Sequence, residues 1–237
     1  MINGRYQFHS FLQYKGIVHG ISSQAFGSMN ETVDRDALSY FAKSLAIDGD
    51  IVCMRQIHSG NVYIVNDTSE LLIAETDGLI TNRKNLSLAV LTADCLPVFF
   101  YDQQKEVIAI AHAGYKGLLN HILENTVKRF VADFRSDPKD IIVGIGPCVE
   151  QDCYEVGKDR IAQFHHAFPT FKNISTERDG RQYLNLREIA RQCLAKEGIL
   201  EGHIEIMDIC TRCDENFYSY RRGDKEKRFV SIISLVE

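Results

Sequence analysis

A chain of 237 residues with 45% hydrophobic and 25% charged side chains can bury a large core and excludes a disordered or fibrous protein. Its net charge of −5 excludes an extended nucleic-acid surface, because counterion release needs clustered Lys and Arg. No apolar run approaches the roughly 20 residues of a membrane helix, and the opening stretch MINGRYQFHSFLQYKG lacks the apolar core of a signal peptide. Seven cysteines without a regular framework fit a reducing compartment. The expectation is a cytoplasmic protein, monomer or homodimer, that handles small molecules and binds neither nucleic acid nor membrane.

Residues 1–30 read as strands and turns, with Ile17-Val18-His19-Gly20-Ile21 followed by Ala25 to Asn30. From Thr32 the spacing of Val33, Ala37, Leu38, Phe41, Ala42 and Leu45 predicts a helix that Asp48-Gly49 ends. Ile51 to Ile57 and Asn61 to Val65 read as strands on either side of Ser59-Gly60, which puts His58 at a strand end. Asp77-Gly78 precedes the short apolar run Leu79-Ile80.

Three apolar runs follow, Leu88 to Leu91, Leu96 to Tyr101 and Val107 to Ala111, each read as a buried strand. Asp102-Gln103-Gln104-Lys105 between the last two predicts a hairpin. With Tyr101 facing Val107, Leu96 lies opposite His112 and Cys95 opposite Ala113, so Cys95 and His112 meet at one end. Leu118, Ile122, Leu123, Thr126, Val127, Phe130 and Phe134 predict one helix packed across the sheet. Asp140 to Ile145 is a further strand, Val156 to Phe168 and Leu186 to Leu194 are helices, and Ile204 to Ile209 and Phe229 to Val236 are closing strands. Strands interleaved with helices make a mixed α/β protein, and the absence of repeats or a linker makes residues 1–237 one domain.

The hairpin end carries the chemistry. Thr92-Ala93-Asp94-Cys95 breaks an apolar run with a carboxylate and a thiol, and His112-Ala113-Gly114-Tyr115-Lys116-Gly117 joins a strand to a helix. Such a glycine-containing turn exposes backbone N–H groups that suit an anion. Arg55-Gln56-Ile57-His58 adds a guanidinium, an amide and an imidazole, but spacing does not place them beside Cys95. Other features weigh less. Cys210-Thr211-Arg212-Cys213 is a CxxC, yet a zinc ribbon needs a second pair and Cys148 with Cys153 has the wrong spacing. A thioredoxin-type motif should open a helix, whereas a polar aromatic loop follows. His165-His166 reads as surface and packing.

Gln56-Ile57-His58, Thr92-Ala93-Asp94-Cys95, His112 to Gly117, Ile145-Gly146-Pro147-Cys148, Cys153-Tyr154-Glu155-Val156 and Phe217 to Arg222 occur in this order. Together they resemble the YfiH family, also called the laccase-domain or multicopper polyphenol oxidase family and regarded as purine nucleoside phosphorylases. Tyr115 and Lys116 stand where that family usually has Trp and Arg, and QIHSG stands for QVHG. The resemblance implies a layered α-β-β-α arrangement of two packed mixed sheets with outer helices. It implies that His58, Cys95 and His112 ligate one zinc ion, with copper as an occasional occupant, and that Asp94 orients a ligand or moves a proton. The implied activity is phosphorolysis of purine nucleosides, with adenosine deamination in the same pocket. Phosphate would then contact Arg55, Gln56, Lys116, Arg221 and the amides near Gly114, and Tyr115 or Tyr220 would stack on the base. Two alternatives stand beside it: a copper-dependent polyphenol oxidase, and a zinc-stabilised binding protein or peptidoglycan-precursor editing factor.

Overall fold

The computed structural model describes residues 4–29 and 35–237, so the expected helix start at Thr32 and Val33, and Asn30, lie outside the described residues. The chain opens with β1 (Arg5–Tyr6), α1 (His9–Leu12) and β2 (Ile17–Ser22). Next come α2 (Arg35–Ser44), β3 (Asp50–Met54), β4 (Val62–Ile64), β5 (Leu72–Ile73) and β6 (Gly78–Thr81). The three apolar runs become β7 (Leu86–Thr92), β8 (Leu96–Asp102) and β9 (Val107–Ala113). They are followed by α3 (Tyr115–Leu119), α4 (Ile122–Phe134), β10 (Ile141–Ile145), β11 (Glu155–Val156) and α5 (Lys158–Ala167). The chain closes with β12 (Ser175–Arg178), β13 (Arg181–Leu184), α6 (Leu186–Lys196), β14 (Ile204–Ile206) and β15 (Phe229–Leu235). Among the described residues no helix is long and apolar enough to cross a membrane.

Two six-stranded sheets result, ordered β1-β2-β15-β7-β3-β5 and β14-β10-β8-β9-β6-β4. Both are mixed: β3 runs parallel to β7 and β5 while β15 is antiparallel to both its neighbours. In the second sheet β10 is parallel to β14 and β6 to β4, with antiparallel pairs between. Alternation along each strand sorts the side chains into three cores. Leu88, Val90 and Ile233 of the first sheet meet Phe99, Tyr101, Ile108 and Ile110 of the second. Ala89, Leu91 and Ile232 face outward onto Leu38, Phe41 and Ala42 of α2. Val98, Phe100, Ala109 and Val143 face the other way onto Ile122, Val127 and Phe130 of α4 and Ile189 of α6. The layers are therefore α-β-β-α. Because β7, β8 and β9 are covered on both faces, they read as unbroken apolar runs rather than alternating ones.

Four local expectations change. The hairpin is shifted by one residue: Asp102 pairs with Val107, which sets Pro97 opposite His112 and Leu96 opposite Ala113. Asp102 joins the strand because its Oδ1 accepts the N–H groups of Gln104 (2.8 Å) and Lys105 (3.1 Å) and caps a tighter turn. The strand expected through Ile57 stops at Met54, and β4 joins the other sheet. Gln56 explains the exit, since its side-chain amide exchanges hydrogen bonds with the backbone of Leu91 (2.8 and 2.9 Å) in place of a strand partner. The single long helix after the hairpin is two, α3 and α4, broken at His121 in the left-handed region (φ 61°). A polar β12–β13 hairpin escaped the apolar pattern, although its Asp179-Gly180 turn, left-handed at both residues, is a strong hairpin signal.

His19 on β2 is 1% exposed among Phe8, Phe11 and Phe99, and its Nε2 accepts the Phe8 N–H at 2.8 Å. Burial, only partly opposed by Glu205, pushes its pKa down to about 4. An unfolded histidine protonates near 6.5, so between the two values the unfolded chain binds more protons and stability falls as pH falls. The expected loss from pH 7 to 4 is roughly 3 kcal/mol beyond that of His19→Gln, from the gap at about 1.4 kcal/mol per pH unit. Urea unfolding of both proteins at the two pH values measures it, and equal losses would refute the assignment.

Candidate functional site

The distant segments flagged by the sequence meet at one place. Ligand atoms of His58, Cys95 and His112 all lie within 4.8 Å of one another, and the two imidazoles cross edge to face with centroids 4.7 Å apart. Cys95 occupies the connection between β7 and β8, His112 the end of β9, and His58 the irregular segment after β3. His58 (φ 61°) and Asp94 (φ 88°) are both left-handed without being glycine, a strain tolerated only where the surroundings over-determine the backbone.

Asp77 supplies much of that determination. Its carboxylate is fully buried and takes five hydrogen bonds. Oδ1 accepts the His58 N–H (3.0 Å) and binds Nδ1 of His112 (2.8 Å). Oδ2 accepts the N–H groups of Ile57 (3.2 Å) and Ser59 (2.6 Å) and the Ser59 hydroxyl (2.7 Å). Burial alone would raise this carboxyl, but the bonds from His112 and Ser59 hold it below the usual range. One carboxylate thus shapes the His58 turn and orients the His112 ring. Nothing in the sequence around Asp77-Gly78 marked the carboxylate for this part.

The same turn is clamped from outside. Asn125 Nδ2 donates to the Gly60 carbonyl (2.9 Å) and Asn120 Nδ2 to the His58 carbonyl (3.2 Å). A Cβ on Gly60 would stand 2.0 Å from the Asn120 carbonyl oxygen, so only glycine allows the approach. Gly114 has a similar constraint inside the site. A Cβ there would stand 2.7 Å from Cys95 Sγ and 3.1 Å from the His58 ring, so the cluster rests directly on the glycine backbone.

Electrostatics match the geometry. Burial opposes ionisation of Cys95, yet His112 and hydrogen bonds from both histidines bring its thiol down to about 6. His112 moves the other way: burial lowers it, but Cys95 and Asp77 outweigh burial and raise it to about 9. The two shifts belong to the pair: each group favours the charged form of the other.

The cluster opens into a cavity of about 480 Å³, within the range of small-molecule sites. Arg55, Gln56, Asp94, Tyr115, Tyr220 and Arg221 line it. Tyr154, which lies in one of the words that carry the family likeness, lines it too, as do Arg160 and Arg228. Arg160 lies 3.8 Å above the Tyr115 ring and Arg221 lies 4.7 Å from the Tyr154 centroid. Burial first, and Cys95 second, push the Tyr154 phenol up to about 12. Gly114 is buried against the cluster, whereas Lys116 is exposed and absent from the cavity wall. The turn of α3 directs Lys116 to solvent, so the expected phosphate contact of Lys116 is not assembled. Asp94 is engaged elsewhere: Oδ1 accepts from the Thr211 hydroxyl (2.7 Å) and Oδ2 from the Arg221 N–H (2.7 Å). It ties the segment before β8 to the 210–224 loop.

Fold and site together define a mixed α/β protein with a small-molecule pocket built around two imidazoles and a thiol. The chain belongs to the family described as multi-copper polyphenol oxidoreductase laccase, whose profile matches residues 14–236. It is 33% identical over 239 residues to the purine nucleoside phosphorylase YlmD of Bacillus subtilis, covering 92% of this chain and 86% of that protein. It is 28% identical over 231 residues to the adenosine deaminase RL5 of an unknown prokaryotic organism, covering 90% of this chain and 88% of that one. The crystal structure of YlmD from Geobacillus stearothermophilus superposes with a TM-score of 0.88 at 25% identity, over 100% of this chain and 98% of that one.

Proposed function

We propose that this chain is a zinc-dependent purine nucleoside phosphorylase. It splits adenosine, inosine, guanosine and methylthioadenosine into base and sugar 1-phosphate, with hydrolytic deamination of adenosine in the same pocket. The observation that carries this reading is the His58–Cys95–His112 cluster at the wall of an arginine-lined cavity. The names of the relatives, phosphorylase in one case and deaminase in the other, support both activities.

The donor set fits zinc. Two imidazoles and a thiolate leave one tetrahedral position for substrate or water, the pattern of catalytic sites. Against burial, the histidines lower the Cys95 thiol, and the proton the coupled Cys95–His112 pair still holds is the one that metal binding releases. The Asp77 bond to Nδ1 of His112 leaves Nε2 as the available ring donor. When bound, zinc supplies a Lewis acid beside the nucleoside. A multicopper oxidase needs a histidine-rich trinuclear cluster as well; among the described residues the only other candidate metal group is all cysteine.

The remaining work falls to side chains. Arg55, Arg160 and Arg221 bind phosphate, with guanidinium forks matched to its oxygens. A phosphate oxygen bonds to C1′ of the sugar as the C1′–N9 bond breaks and its electron pair passes to the purine. Tyr154, kept protonated, donates a hydrogen bond to the departing base. Tyr115 and the 47%-exposed Tyr220 offer faces for stacking. Asp94 holds Arg221 in place through its backbone.

Zinc-loaded protein given adenosine and phosphate should release adenine and ribose 1-phosphate, and without phosphate only inosine. Chromatography of adenine, inosine and hypoxanthine measures both. A loaded protein that turns over none of the four nucleosides in either condition would overturn the proposal.

A further inference from the structure

Outside the pocket, a second group of soft ligands converges. Cys153 ends a short turn after β10, and Cys210 and Cys213 form the CxxC sixty residues further on. Their sulfur atoms all lie within 4.8 Å of one another, with Cys153 Sγ and Cys213 Sγ 3.3 Å apart. Three thiols bound to one zinc ion at about 2.3 Å in tetrahedral geometry stand about 3.8 Å from each other. The present spacing brackets that value. It is far longer than the roughly 2 Å of a disulfide, and all three cysteines are free.

The sequence set this CxxC aside for want of a partner, and the fold supplies one. An isolated parallel bridge between Cys148 and Cys210 aligns the two segments, reinforced by the Thr211 N–H donating to the Cys148 carbonyl (2.9 Å). Cys148 itself is buried with its thiol against Arg187, so it stays out of the group. The Glu150 N–H points at Cys210 Sγ at 3.5 Å, and the Arg212 guanidinium sits beside Cys153. Cys213 is exposed, which gives an ion a route in and leaves its remaining position to water. Cys153 Sγ and Cys213 Sγ share a proton in a hydrogen bond, and cation binding exchanges such thiol protons for metal–sulfur bonds.

We propose that Cys153, Cys210 and Cys213 form a second metal site, which takes one soft divalent cation, zinc or cadmium, through three sulfur ligands. Its place gives it a task. Cys153 precedes Tyr154, and Cys210–Cys213 leads into the loop that presents Tyr220 and Arg221 to the cavity. An ion here joins the two walls by a clasp that does not touch the nucleoside. The site stands independently of the pocket cluster.

The test uses the full chain, kept reduced with a phosphine, in five forms: wild type, Cys95→Ala, Cys213→Ser, Cys153→Ser and the Cys95→Ala, Cys213→Ser double variant. After zinc loading and gel filtration, elemental analysis should find about one zinc fewer in either serine variant than in wild type. In Cys95→Ala, where the pocket cluster is broken, added cadmium should still raise an ultraviolet thiolate-to-metal charge-transfer band, and Cys213→Ser in that background should remove it. Zinc should slow iodoacetamide labelling of Cys213 by about tenfold or more. Cys213 is exposed, so the serine variant keeps its packing, and Cys153→Ser provides a second measurement. Equal zinc in wild type and both serine variants, or no cadmium band in Cys95→Ala, would overturn the site and leave the pocket assignment untouched.

Discussion

Cys95→Ala protein is expected to lose its pocket metal and at least about a thousandfold in kcat/KM for adenosine phosphorolysis, equivalent to about 4 kcal/mol of transition-state stabilisation. The size follows from what the thiol does: it is the only anionic member of the trio, and two neutral imidazoles hold zinc far less tightly than two imidazoles and a thiolate. The loss should appear in kcat, because Arg55, Arg160 and Arg221 still bind phosphate. Elemental analysis and initial rates on the same preparation decide the matter. A Cys95→Ala protein with wild-type pocket metal and wild-type phosphorolysis ends the zinc assignment.

Asp77→Asn is the second large effect, and it acts without touching substrate. The carboxylate accepts from three backbone N–H groups, one hydroxyl and one imidazole. Asparagine offers a single acceptor oxygen and turns an NH2 group toward donors on its other side. Whichever way it is placed, either the His58 turn or the His112 ring is left facing a donor. The expected cost is about 3 kcal/mol of stability, from the loss of charge-assisted bonds in a buried site. Zinc affinity at the pocket should fall roughly 10–100-fold because one of the two supports, the His58 turn or the His112 ring, is then lost. Urea unfolding of the metal-free chain and competition with a chelator separate the two consequences. If affinity is unchanged while stability falls, Asp77 only supports the fold and does not orient the ligands.

Much of the architecture was readable in one dimension. The apolar runs that become β7, β8, β9, β10 and β15 are buried on both faces, and such strands announce themselves without any periodicity. The amphipathic spacing of α4 and α6 was readable too, and Gly198, left-handed at φ 95°, follows the end of α6. The polar β12–β13 hairpin was hidden because it buries little, and the break at His121 because one left-handed residue leaves the apolar spacing intact. Register was missed by one because a side-chain cap at Asp102, rather than the pattern of strand residues, sets the turn.

For the site, the chain order alone determined that an acid, a thiol and an imidazole sit at the ends of one hairpin, since Cys95 and His112 belong to neighbouring strands. It also determined which words of sequence carry the family likeness. Only the tertiary structure decided that His58 reaches them, because that depends on a non-helical, non-strand turn whose shape comes from Asp77, nineteen residues away and on the far side of two strands. Only it moved Lys116 out of the cavity and brought Arg160 and Tyr154 in. And only it set Cys153 beside Cys210 and Cys213. Contacts between neighbours in a hairpin follow from counting residues, whereas contacts made by irregular loops follow from where buried carboxylates and backbone amides find one another.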